Sequence, residues 1–442
     1  MNTKPSAYNI VESHASDIKV RLYTPAHQGV SGQFKYLTDR IYEYDVPFVT
    51  RSKLIEVEKY FSELYNTKHT FFLTGGATQG VLAAIALLGM KHRKIAIGLN
   101  SHIAVIHGIV LTGLELFFIP SKLLMPTAEE VISALETEGQ EVDAVFLTHP
   151  SYEGTLADIQ SIARYCRDRN IDLIIDEAHG SHFPFMEENL KSAIEEGGDI
   201  VIHSLHKYVG SLVQTALLHI PKNSRITQEQ VMAGLALFEN TTRSNLLILS
   251  IEDAIQSAFD LRGKSLFVNA SVQCNQLRNL LNSFSNVLTY DANVCDPLKI
   301  FLCSDYATGD EIAELLVERG VDSEYSNERG VLLIFSFQHR EKDFFYVARV
   351  LEEIYLIILQ QREQRNVKDE KSFTRQPIMR VLPREAFFAE KKKIKLGEAK
   401  GMVSCSSLKK IPPGIAILVP GEEITEWHLE RFDRETLVEV MA

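Results

Sequence analysis

The sequence predicts an α/β protein: a mostly parallel seven-stranded sheet covered by helices, followed by a smaller α+β part. Three observations carry this. Seven short apolar runs lie between residues 69 and 220. Amphipathic stretches with helical spacing separate several of them. Polar residues gather just after the runs, at what would be the carboxyl edge of one sheet, where α/β proteins bind ligands. Near-continuous apolar strands alternating with helices mean parallel strands buried on both faces.

The candidate strands are HTFFLT (69–74), KIAIGL (94–99), LELFFIP (114–120), VDAVFLTHP (142–150), DLIIDEAH (172–179), DIVIHS (199–204) and QTALLHI (214–220). Between them QGVLAAIALLGMKH, AEEVISALETEG and IQSIARYCRDRN have helical apolar spacing. The run IAVIHGIVLTGLELFFIP carries His107, Thr112, Gly113 and Glu115. It reads as helix, turn and strand, not as a membrane span, which needs about 20 apolar residues. Beyond residue 250, SIEDAIQSAFDLRGKSLFVNASVQCNQLRNLLNSF reads as one long helix. PLKIFLC, EIAELLVERG and VLLIFSFQ alternate strand, helix and strand, and EKDFFYVARVLEEIYLIILQQREQ reads as another helix. The polar stretch REQRNVKDEKS (362–372) is the linker candidate, and proline and glycine turns punctuate PPGIAILVPGEEIT (412–425). The expected organisation is an N-terminal segment (1–50), a large α/β domain (51–265), a small α+β domain (266–361) and a C-terminal domain (373–442).

Composition narrows the function. The net charge of −12 argues against a nucleic-acid surface, which needs clustered lysine and arginine. The N-terminal MNTKPSAYNIVESH has no apolar signal core, and no apolar run is long enough for a bilayer. The five cysteines are scattered without a CxxC pair, as in a reduced compartment. A cytoplasmic protein that contacts neither nucleic acid nor membrane is the expectation.

The carboxyl edge collects Thr78, His102, Tyr152, Asp176, His179, Ser204, His206 and Lys207. A lysine at the mouth of a buried strand is costly unless its amine is used. It can form a Schiff base with an aldehyde cofactor, and desolvation lowers its pKa toward that use. Pyridoxal phosphate needs that lysine, an acid for its ring nitrogen, a phosphate cradle and something flat against the ring. Asp176 can be the acid. Backbone N–H groups of Gly75, Gly76 and Ala77, with the Thr78 hydroxyl, can form the cradle, opening a helix that starts near Gln79. Ser204 and His206 lie within reach of the same phosphate, and His102 can stack on the ring. Taken singly, each residue has a structural reading: a snorkelling lysine, a helix cap at Thr78, a turn at Asp176, hydrogen-bonded core histidines. Their convergence on one rim argues for a site.

Two rival motifs fall away. DEAH at 176–179 matches a helicase box, but GGATQG has no P-loop lysine. Asp176, His179 and His182 offer metal-ligand chemistry, but their spacing at a strand end is no known chelating geometry. No metal is expected.

The chain resembles the fold-type-I pyridoxal-phosphate decarboxylases of the ornithine/lysine/arginine group, in their short Gram-positive-type form. The resemblance rests on TPAHQG (24–29), FFLTGGATQG (71–80), NSH (100–102), SYEG (151–154), DEAHGSHF (176–183), HSLHK (203–207), QTALLH (214–219), PREAFF (383–388) and PPGIAILVPGE (412–422). It implies that Lys207 carries the cofactor and Asp176 pairs its ring nitrogen. It implies that Ala178 packs under the ring, His102 stacks over it, and Gly76, Ala77, Thr78, Ser204 and His206 hold the phosphate. His179 would lie near the cofactor–lysine bond and the substrate carboxylate. A homodimer with interface active sites and a role in polyamine synthesis are also implied. The sequence departs from the family pattern at Ala26 and Gln28, at Pro47 and Phe48, at Ala77 in place of a cradle serine, and at SCS (404–406) and KIPPGIA (410–416). Ala77 gives up a hydroxyl but keeps its N–H, so the cofactor chemistry is largely intact, and the other departures fall where substrate and partner-chain contacts are expected.

The leading reading is decarboxylation of a basic amino acid, its cationic end met by Glu153, Glu422 or Glu423. A transaminase or Cα–Cβ lyase would use the same rim and add an arginine clamp for the α-carboxylate, drawn from Arg225, Arg243 or Arg384. A non-catalytic descendant is opposed by the intact Lys207 and Asp176.

Overall fold

A computed structural model of the chain describes residues 20–22, 51–122, 125–137, 141–186, 190–361, 375–410 and 414–442. Beside the short strand β1 (Val20–Leu22), seven strands make the main sheet: β2 (Thr67–Leu73), β3 (Lys94–Ile97), β4 (Glu115–Phe118), β5 (Ala144–Thr148), β6 (Asp172–Asp176), β7 (Ile200–Ser204) and β8 (Ala216–Pro221). Their order is β2-β8-β7-β6-β5-β3-β4, and only β8 runs against the rest. The expected mostly parallel sheet of seven strands is what forms.

The reason is burial on both faces. Every residue of β5, β6 and β7 is buried. Leu173, Ile175 and Val201 face one core with Ile162 and Cys166 of the helix Ile159–Asp168. Ile174, Ile200 and Ile202 face the other with Val81, Ile85 and Leu88 of the helix Gly76–Lys91. The period of two thus sorts one strand between two hydrophobic layers.

The first core continues without a break into the second sheet. That sheet has the order β12-β13-β10-β9, from β9 (Thr289–Tyr290), β10 (Lys299–Cys303), β12 (Tyr325–Asn327) and β13 (Gly330–Ile334). Phe301, Leu332 and Val347 belong to the same apolar cluster as Leu173 and Val201. Strand β11 (Val321–Ser323) pairs in parallel with β1. Two antiparallel pairs close the C-terminal part: β14 (Lys391–Lys395) with β17 (Leu437–Met441), and β15 (Leu408–Lys410) with β16 (Ile415–Leu418). Leu396, Leu418, Ile424, Val438 and Val440 form its own small core.

One expected element divides. The single long helix is two, Asn245–Phe259 and Leu261–Ser283. Asp260 between them is extended (φ −65°, ψ 154°), and its carboxylate accepts the Arg262 N–H at 2.6 Å. An aspartate at the junction caps the second helix better than it continues the first. TPAHQG, Pro47, Phe48, the linker 362–372, Pro412 and Pro413 lie outside the described residues. Among the described residues no helix is long and apolar enough to cross a membrane.

Candidate active site

The carboxyl ends of β5, β6 and β7 lie side by side, and the site is built on them. β7 ends at Ser204 and passes directly into the short helix Leu205–Tyr208, which carries Lys207. The Lys207 amine lies 2.7 Å from Nε2 of His179. Desolvation brings its pKa down from 10.5 to about 8. The Lys299 charge assists, while the carboxylates of Asp176 and Glu324 oppose. His179 is pushed well below the usual imidazole range by burial, then by Lys207. As the acceptor of a lysine proton it carries its own proton on Nδ1, and that buried atom has no partner among the described residues.

Asp176 ends β6 and is buried; its Oδ1 accepts the Ala178 N–H at 3.1 Å. Burial raises its pKa against the opposing pull of Lys207. His102 caps the helix Ile103–Thr112, its Nδ1 accepting the Ala104 N–H at 3.2 Å. Burial, with Lys207 next in weight, brings its pKa down to about 4. The ring is therefore neutral, with its proton on Nε2. His206 Nδ1 lies 3.2 Å from the Ser204 hydroxyl and 3.4 Å from the Thr215 carbonyl. Gly76 backs onto the adjoining Gln214, so the cradle and His206 flank one short segment.

The cradle differs in detail from expectation. The helix begins at Gly76 and not near Gln79, and Gly75 is its cap residue with no side-chain bond. The Gln79 side chain folds back and takes the Gly75 N–H at 2.9 Å. Gly75 is therefore removed from the cradle. Gly76, Ala77 and Thr78 supply first-turn N–H groups, which have no acceptor within the helix. Thr78 is exposed and caps nothing.

Tyr152 packs edge-on against His179, ring centres 4.6 Å apart. Its hydroxyl donates to Glu324, which lies between β11 and β12. The adjoining Tyr325 hydroxyl returns the bond to Glu153 at 2.5 Å. Two reciprocal Tyr–Glu pairs thus stitch the second sheet to the site. Beneath them Lys299 is fully buried, 3.4 Å from Asp296 and 3.3 Å from the Ser151 carbonyl. Asp296 also bonds His182 at 3.0 Å, and His182 stacks on Tyr208. Glu177, wholly buried behind Asp176, holds His203 at 2.6 Å and the Ala193 N–H at 2.8 Å.

A match to the family described as "Orn/Lys/Arg decarboxylase, major domain" covers residues 49–304, more than half of the chain. The chain belongs to the Orn/Lys/Arg decarboxylase family. It is an enzyme of the decarboxylase class. It is similar to the arginine decarboxylase of Bacillus subtilis (strain 168): 26% identical over 95% of this chain and 91% of that protein. To the arginine decarboxylase of Bacillus anthracis it is 27% identical, over 85% of this chain and 79% of the other. Among solved structures it superposes on lysine decarboxylase A of Pseudomonas aeruginosa with a TM-score of 0.75, at 15% identity over 98% and 80% of the two chains. The constitutive lysine decarboxylase of E. coli gives 0.69, at 16% identity over 95% and 76%. The fold is that of the fold-type-I enzymes.

Within this decarboxylase, the other sequence candidates also have partners. Glu422 is buried and bonds Arg375; Glu423 pairs with Arg380 at 2.7 Å; Glu153 takes Tyr325. Arg225 serves Asn170 and the Ile171 carbonyl, Arg243 pairs with Glu239, and Arg384 donates to the Val110 and Leu111 carbonyls. Glu324, Lys299, Asp296 and Glu177 escaped the sequence reading. Lys299 carried a signal: a lysine opening an apolar strand, as suspicious as Lys207.

Proposed function

We propose that this enzyme is a pyridoxal 5′-phosphate-dependent decarboxylase of a basic amino acid, arginine, lysine or ornithine, yielding the amine and CO2. One observation carries the reading: an amine lowered to about 8, held on a neutral histidine, with a buried carboxylate beside it. Such a lysine is a nucleophile in waiting. The residues fit the cofactor. The orphaned Nδ1 of His179 and the first-turn N–H groups of Gly76, Ala77 and Thr78 are unmet polar groups on one rim.

When bound, the cofactor supplies an aldehyde for an amine and a ring that takes up the charge left at Cα as CO2 departs. Lys207 would hold the aldehyde, and Asp176 would keep a proton on the ring nitrogen. Gly76, Ala77, Thr78, Ser204 and His206 would hold the phosphate. Ala178 and neutral His102 would pack against the ring and keep water away. Lys207 or His179, sharing one hydrogen bond, delivers a proton to Cα. The cationic end of the substrate is met by the paired carboxylates of Glu324 and Glu153, with Glu324 the nearer candidate because its tyrosine, Tyr152, packs on His179. The engagement of Arg225, Arg243 and Arg384 elsewhere weighs against a transaminase. The working unit is a homodimer.

The test is the absorbance spectrum of the purified protein before and after borohydride, with Lys207→Ala as control. A band near ~420 nm that borohydride bleaches and the variant lacks is expected. CO2 release from arginine, lysine and ornithine then names the substrate. A protein that takes up no cofactor overturns the reading.

A further inference from the structure

The piece of chain that closes the site above His102 comes from the C-terminal part, well beyond the family match that ends at residue 304. Ile415 forms an isolated antiparallel bridge with His102, and the Ile103 N–H donates to the Gly414 carbonyl at 2.9 Å. Gly414 has a φ of +89°, a backbone state that favours glycine. A Cβ built on it would lie 2.9 Å from His102 Nε2 and 3.0 Å from Cδ2. Such a separation requires the ring to move. The other edge of the ring is pinned, because Nδ1 accepts the Ala104 N–H. The imidazole is thus clamped between its own helix and a glycine more than 300 residues away.

We propose that Gly414 is a positioning residue for His102, so that the C-terminal part is a structural component of the cofactor site and not an appendage to it. This rests on the cofactor reading above. Any side chain at 414 tilts His102 off the plane it presents to the cofactor.

Gly401 is the natural control. Its φ is +79°, but a Cβ there meets nothing within 4 Å. Gly401→Ala therefore carries similar backbone strain without the collision. The measurement is the equilibrium dissociation constant for pyridoxal phosphate, by absorbance titration of apoprotein. Gly414→Ala is expected to weaken binding at least tenfold, and Gly401→Ala less than twofold. In a His102→Ala background the Gly414→Ala change should add less than twofold, since the group it strikes is gone. Equal weakening by the two glycine variants, or an undiminished effect without His102, overturns the proposal.

Wild-type protein supplies a second readout, should Gly414→Ala fail to fold. Hydrogen exchange should slow on cofactor addition at both 102–106 and 414–418. Slowing at the first segment alone overturns the coupling. If wild type binds no cofactor, the functional reading has failed separately. The positional claim is then decided on apoprotein by diethyl pyrocarbonate. His102 should react at least threefold faster in Gly414→Ala than in Gly401→Ala, and equal rates refute it.

Discussion

The pH at which Lys207 becomes reactive follows from its surroundings. An amine with a pKa of about 8 is ~9% neutral at pH 7, against ~0.03% for an ordinary lysine amine, so its nucleophilic form is ~300-fold more abundant. The rate of covalent capture of pyridoxal phosphate by apoprotein should therefore rise tenfold per pH unit only up to about 8, then level off. The assay is stopped-flow absorbance from pH 6 to 10, with the adduct reduced by borohydride and mapped to Lys207. Desolvation lowers the pKa, while Asp176 and Glu324 raise it. Asp176→Asn should thus shift the inflection below 8, and Lys299→Met should shift it above. The stability sign agrees. The folded state binds this proton more weakly than the unfolded chain does, so the contribution of Lys207 to stability improves as pH rises from about 8 to 10.5. A capture rate still climbing tenfold per unit between pH 9 and 10 would refute the argument, because it would mean an amine no different from one in water.

The other predictions concern the parts around that amine. Lys299→Met leaves Asp296 buried with His182 and the Leu298 N–H as its partners among the described residues. Removing one partner of a buried pair costs about 3–5 kcal/mol, and the remaining bonds favour the low end, measured by urea unfolding. Arg375→Met takes the guanidinium from Glu422 in a similarly buried place, leaving it the Val419 N–H and His428. It should destabilise by about 3–5 kcal/mol and loosen the C-terminal part first, seen as faster hydrogen exchange over 415–424. Glu324→Gln keeps the size and removes the charge. It should raise KM for the basic substrate about tenfold or more, a loss of ~1.4 kcal/mol, with little change in kcat; an unchanged KM would exclude Glu324 from substrate binding.

Much of the fold was legible because its causes are local. The seven apolar runs are strands because β-branched and aromatic residues buried on both faces leave a hydrophobic parallel sheet few alternatives. The one misread element, the helix pair around Asp260, turned on a cap that competes with helix continuation only once the chain direction changes. Asp176 and Ser204 end strands, His179, His206 and Lys207 follow within three residues and His102 within five, so the rim on which they gather was legible from the strand order. The surroundings of the carboxylate and arginine candidates were not legible, because charge alone does not say which surface a side chain faces: Glu422 is buried on Arg375, and Arg384 donates to the end of a helix.

The sequence by itself determined the sheet, the rim and the chemistry carried there, through patterns a few residues long. Tertiary structure alone decided what surrounds that chemistry. Tyr152 meets Glu324 across 172 positions of chain, and His102 meets Gly414 from the far end of the molecule. No local period encodes such contacts. They arise because one apolar core runs unbroken from the main sheet into the second, and because the C-terminal part folds back onto the sheet edge. Packing distant segments around the Lys207 amine excludes water from it, and desolvation is the largest cause of its lowered pKa.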